Sequence, residues 1–143
     1  MRAVFYRILS RLGQQEEAHA ASPASRKIRE AIAYLNAHLT DPALRVEAVA
    51  QRAGISRRYF ERLFLAELGT SAREYILARR MELARELLLN ERLGVGDVAT
   101  RVGFTDAYHF SKIFKEKCAL SPSVYKRRMR AEETTDANTE SSR

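Results

Sequence analysis

Two short stretches carry the side chains with the most specific chemistry, "SRRYFER" at 56–62 and "DAYHFSK" at 106–112. If Phe60, Leu63 and Phe64 form the inner side of a helix, then Arg57, Arg58, Glu61 and Arg62 are left outside it. A guanidinium offers paired N–H donors that fit guanine O6 and N7, and a carboxylate accepts from the cytosine N4 amine. In the second stretch Phe110, Ile113 and Phe114 turn inward, which leaves Ala107, Tyr108, Ser111 and Lys112 outside. Ala107 could meet a thymine methyl, and Lys112 a guanine or a phosphate. Glu61 has a second reading by spacing alone. It stands i+4 from Arg57 and i+3 from Arg58, where a surface ion pair would form without any base.

Catalysis finds little support. His19, His38 and His109 are scattered, H-E-x-x-H, G-x-S-x-G and a glycine-rich phosphate loop are absent, and six glycines leave little for a nucleotide cradle. The expectation is a non-enzyme with no cofactor and no metal. Cys118 is the only cysteine, which excludes an intramolecular disulfide and a multi-cysteine zinc site and suits a reducing cytoplasm. No apolar run approaches the ~18 residues of a membrane span. The formal net charge is +7 over 143 residues, concentrated in the middle: residues 25–130 hold 21 Lys/Arg against 12 Asp/Glu. A basic domain with an acidic tail points to a polyanionic partner, nucleic acid before membrane.

The elements that must position these residues read as helices throughout, because no segment alternates with the period of a strand. "MRAVFYRILSRLG" is amphipathic and reads as a helix that packs on a sensor domain or a dimer partner through residues 1–12. Gly13 to Ser25, small, polar and broken by Pro23, reads as a linker. Ile28, Ile32, Leu35 and Leu39 then recur on one helical face. "VEAVAQRAG" and "VGDVATRVG" read as one phrase used twice. Val49/Val98, Ala50/Ala99, Arg52/Arg101 and Gly54/Gly103 match at an offset of 49, and Phe60/Phe110, Phe64/Phe114, Ser71/Ser121 and Tyr75/Tyr125 at 50. Each copy has a small residue where two helices approach, a glycine at a tight turn, and a second helix held by apolar residues. That is the layout of a helix-turn-helix, whose second helix can enter a major groove. Ser56, and Thr105 with Asp106, are capping residues for those second helices.

The fold class expected is all-α, two helix-turn-helix subdomains joined by a long connector helix as a homeodomain-like pair. The divisions are 1–24 for the amphipathic helix and linker, 25–71 for the first subdomain, 72–90 for the connector, 91–130 for the second subdomain, and 131–143 for a disordered acidic tail. A connector of about 18 residues spans roughly 27 Å, against ~34 Å between successive major-groove faces on one side of B-DNA. One chain could then read two adjacent groove segments of an asymmetric site.

The stretch from "VEAVAQRAGISRRYFERLFLAELG" to "VGDVATRVGFTDAYHFSKIFKEKCALSPSVYKRR" resembles the DNA-binding domain of the AraC/XylS family of bacterial transcription regulators, over about Ile28 to Arg128. The resemblance implies a double-stranded DNA partner, base-facing positions for Arg58, Glu61 and Arg62, and a place nearer a phosphate for Arg57. Arg52, Arg101, Lys115 and Lys117 are further phosphate candidates, with Lys126 and Arg127 beside them. His109 stands where the family often has Tyr or His, in a packing or phosphate-facing role. Arg80 on the connector is open to either an ion pair or DNA. The resemblance further implies an activator that contacts RNA polymerase, works in the bacterial cytoplasm at the nucleoid, and accompanies a sensor domain, so the chain reads as a fragment or a shortened regulator. The alternatives are a helical protein-interaction module and a non-specific DNA-coating protein. Cys118 and Ala119 depart from the family, which often has an aromatic residue and glycine there; Cys118 reads as a small buried hydrophobe.

Overall fold

A computed structural model describes residues 22–140, with side chains to 138. The expected amphipathic helix over 1–12 and most of its linker lie outside the described residues. Among the described residues every regular element is a helix. They are α1 (Pro23–Ala37), α2 (Val46–Arg52), α3 (Arg57–Leu68), α4 (Ala72–Leu88), α5 (Val95–Arg101), α6 (Ala107–Cys118) and α7 (Pro122–Glu140). None of them is long and apolar enough to cross a membrane.

The chain divides into two compact units between Arg79 and Arg80, inside α4. In the first unit, α1 buries Ile28, Ala31, Ile32 and Leu35, spaced i, i+3, i+4 and i+7. Pro23 opens this helix instead of closing a linker before it. At the first helical position proline's missing N–H has no partner to lose, and its fixed φ suits the helix. The seven residues of α2 are too few to stand as a helix alone. They are held by Val49 and Ala50, each 1% exposed, against a core that includes Leu35, Phe60, Phe64 and Tyr75. Gly54 takes φ +69°, a left-handed turn that most side chains disfavour, and the Ile55 N–H then returns to the Ala50 carbonyl at 3.1 Å. The phenol of Tyr75 donates to Asn36 Oδ1 at 3.1 Å and so ties α4 to α1.

The second unit repeats the plan. α5 buries Val98 and Ala99, Gly103 makes the turn at φ +95°, and Phe104 N–H returns to the Ala99 carbonyl at 3.0 Å. Met81, Ala84 and Leu88 of α4 are buried with Val102, Phe110 and Phe114. Arg80 proves to be part of this packing. Its guanidinium carbon lies 5.8 Å from the Phe104 ring centroid, and a Cβ added at Gly103 would sit 3.0 Å from the same group. Lys126 also has a structural task, because its ammonium donates to the carbonyls of Asn90 (3.1 Å) and Leu93 in the turn between α4 and α5.

The acidic segment expected to be disordered from 131 onward is helical through Glu140 as the continuation of α7. Its described side chains from Ala131 on are exposed, so burial does not hold it. The helix is nucleated upstream, where Pro122 is buried, and each added turn then costs little. The hydroxyls of Thr134 and Thr135 donate to the carbonyls of Arg130 and Ala131, both at 2.9 Å. Polar composition announces missing core contacts, not missing helicity.

Candidate nucleic-acid interface

In the first unit Ser56 caps α3, its Oγ accepting from the Tyr59 N–H at 3.2 Å. The helix ends at Gly69, which adopts φ 69°. Phe60, Phe64 and Leu68 are buried, and this fixes the rotation of α3 about its axis. Arg58, Glu61 and Arg62 are consequently exposed away from them, as their spacing predicts, and Arg57, in the first turn, is exposed as well. They are not equivalent there. Arg57 is the centre of a three-residue ion network, with its guanidinium 2.9 Å from Glu61 Oε1 and 2.6 Å from Glu47 Oε1 on α2. The hydrogen bonds to Glu61 first and Glu47 second push its pKa above an already high value, so it stays charged. The surface pairing open to Glu61 from its spacing is therefore formed in the free protein. Arg62 rests over Tyr59, with 5.2 Å from guanidinium carbon to ring centroid, and Arg52 over Tyr34 at 4.7 Å.

In the second unit Asp106 caps α6, accepting from the Tyr108 N–H at 2.9 Å; Thr105 sits one residue outside the cap. Phe110 and Phe114 are fully buried. Ala107, Tyr108 and Lys112 are exposed, and Tyr108 at 80% is the most open large hydrophobic side chain among the described residues. Ser111 is only half-exposed at the edge of the face. His109 is exposed, and its ring packs edgewise on Phe104 with centroids 5.6 Å apart, which agrees with a packing role. Among the phosphate candidates Arg101 and Lys115 are exposed, and Lys117 is half-buried.

Cys118, the last residue of α6, is half-buried. Desolvation raises its pKa against the smaller opposing pull of Arg85, so the thiol is less ionised than a free one. Among the described residues no group of His, Cys, Asp and Glu has the arrangement of a metal site. The features that periodicity alone did not reveal are the Glu47 partner of Arg57 and an exposed leucine, Leu65, further along the outer side of α3. The leucine was within reach of the spacing argument, since it stands i+7 from Arg58.

A family profile described as a helix-turn-helix domain matches residues 49–128. The arabinose operon regulatory protein of Escherichia coli is 33% identical over 104 residues, covering 73% of this chain and 36% of that protein. Among solved structures, the C-terminal domain of AraT, a response regulator from Geobacillus stearothermophilus, superposes with a TM-score of 0.70 at 35% identity, covering 76% of this chain and 88% of that one. The DNA-binding domain of AdpA, a global transcriptional factor solved in complex with a target DNA, gives a TM-score of 0.69 at 30% identity and covers 73% of this chain and 94% of that one. The chain spans between 31% and 39% of the length of three curated relatives that it matches.

Proposed function

The chain belongs to the AraC/XylS family of helix-turn-helix transcription regulators, and from that premise we propose that it binds duplex DNA at specific sites by inserting α3 and α6 into successive major-groove segments of an asymmetric sequence. One observation carries this reading: each unit holds a capped second helix whose aromatic side is buried and whose opposite side is open and presents polar and charged side chains beside a few apolar ones. Arg58, Glu61 and Arg62 are the base readers of the first unit, and Ala107, Tyr108, Ser111 and Lys112 those of the second. Arg52, Arg101, Lys115, Lys117 and His109 lie toward phosphates, which set position and salt dependence without carrying sequence. Arg57 serves the carboxylates of Glu47 and Glu61 before any phosphate.

The family implies a non-enzymatic regulator acting at the bacterial nucleoid, an activator that contacts RNA polymerase, joined to or paired with a sensing or dimerising segment through residues 1–12. A selection from random duplexes of about 25 bp, followed by anisotropy titration of the winner at several salt concentrations, tests the core of the proposal. Two unequal half-motifs about one turn apart, bound with affinity that falls steeply with salt, are the expected result. Salt-sensitive binding without an enriched motif would reduce the chain to a DNA-coating module, and no binding at low salt would leave a protein-interaction role.

A further inference from the structure

Leu65 is 56% exposed on a helix that buries Phe60, Phe64 and Leu68 and half-buries Leu63. At 3.6 residues per turn it projects within roughly 20° of Arg58 and lies between Glu61 and Arg62 around the axis. It therefore lies on the outer side of α3, among the candidate base readers, and not against the core. The repeat shows that packing does not require an apolar residue at this place. The counterpart of Leu65 at the offset of 50 is Lys115, which is exposed in the same way on α6. Arg62 leans over Tyr59, on the side away from Leu65, and leaves the leucine uncovered.

We propose that Leu65 is a further base-reading residue, which packs on the 5-methyl group of a thymine in the groove segment entered by α3. The inference rests on the DNA-binding role proposed above. In the major groove the thymine C5 methyl is the feature that rewards an apolar contact. Leu65 lies three residues beyond Arg62, a rise of about 4.5 Å along the helix. That compares with 3.4 Å between successive bases on a strand. The thymine is thus one or two steps from the base that Arg62 reads. Where α6 has Lys115, the same place contributes charge without base identity, so the two units make different use of one structural position.

The test uses the full chain and a duplex from the selection. Each thymine in the half-site bound by α3 is replaced in turn by uracil, which removes the methyl alone, and affinities of the wild type and Leu65→Ala are compared. One replacement should weaken the wild type about fourfold, the worth of one methyl group returned to water, and leave Leu65→Ala unaffected. Leu65→Lys, which copies the second unit, should lose that preference and bind with a steeper salt dependence. Because Leu65 is exposed, neither substitution endangers the fold, and unchanged thermal unfolding verifies this. A uracil scan that is equally flat for wild type and Leu65→Ala, with tight sequence-selective binding retained, would overturn the role of Leu65 while sparing the proposed function. Absence of selective binding by the wild type would overturn both.

Discussion

The two units share their packing and differ in what they present to a partner. Phe60 and Phe64 have ring centroids 5.5 Å apart at 49°, and Phe110 and Phe114 have theirs 5.8 Å apart at 48°. Phe64 meets Tyr75 edge-on at 5.6 Å and 71°, and Phe114 meets Tyr125 at the same distance and angle. Ser71 and Ser121 each accept from a backbone N–H three residues on, at 3.1 and 3.3 Å. On the outer side the correspondence stops. Glu47, Arg57, Arg58, Glu61, Arg62 and Leu65 align in the repeat with Gly96, Ala107, Tyr108, Ser111, Lys112 and Lys115. A framework set by close packing tolerates little change, whereas an exposed side chain can change at almost no cost to the fold. One supersecondary unit thus supplies two reading surfaces of different chemistry.

If the frameworks are equivalent, breaking them should cost the same. Phe60→Ala and Phe110→Ala each remove a fully buried ring and should destabilise their own unit by about 3–5 kcal/mol. Denaturant unfolding followed by a probe in each unit measures both, since two units need not unfold together. A loss confined to one copy would show that the matching ring geometry hides unequal packing. The reading surfaces should respond unequally. Arg58→Ala should cost about 1–3 kcal/mol of affinity on the selected duplex and relax specificity at one base pair. Tyr108→Ala, on a helix with fewer strong hydrogen-bonding groups, should cost less and blur the sequence less. Equal losses would mean that α6 reads as strongly as α3.

A smaller and sharper difference lies at the helix ends. Gly69 and Ala119 occupy the same place after α3 and α6 and adopt the same left-handed backbone, φ 69° and 65°. Glycine does so freely, while alanine pays about 1–2 kcal/mol. Ala119→Gly should stabilise the second unit by about 1 kcal/mol once the extra freedom of glycine in the unfolded chain is subtracted, and Gly69→Ala should destabilise the first by a similar amount. Thermal unfolding of both variants decides the matter, and a destabilising Ala119→Gly would show that neighbouring contacts hold that methyl in place.

Much of this was legible in the sequence because it is local or repeated. The offset of 49 becoming 50, the glycine turns, the Ser56 and Asp106 caps and the inward Phe60, Phe64, Phe110 and Phe114 follow from periodicity and turn chemistry. What escaped depends on partners distant in sequence or on anchoring from elsewhere. Nothing near Arg80 signals that it packs against Gly103 and Phe104, and nothing near Lys126 signals that it binds the carbonyls of Asn90 and Leu93. Pro23 reads as a linker residue because proline breaks helices everywhere except at their first turn. The acidic tail reads as disordered because a helix propagated from an anchored start needs no hydrophobic pattern of its own.

Arg57 separates the two reading surfaces most finely, and its effect should be the smallest. The family resemblance puts it nearer a phosphate, but in the free protein both of its bonded partners are carboxylates, Glu47 and Glu61. With Ala107, Gly96 and Ser111 at the corresponding places, the second unit has nothing comparable. If Glu61 reads a base as proposed, the hold of Arg57 on its Oε1 leaves the other oxygen to accept from a cytosine amine in a fixed orientation. Arg57→Ala should therefore leave unfolding nearly unchanged, since an exposed ion pair adds little. It should weaken discrimination at one cytosine while the slope of affinity against salt stays as it was. The same substitution in a Glu61→Ala background should then have no further effect on that base. A salt slope reduced by about one released counterion, with discrimination intact, would instead mean that Arg57 abandons both carboxylates for a phosphate when DNA arrives.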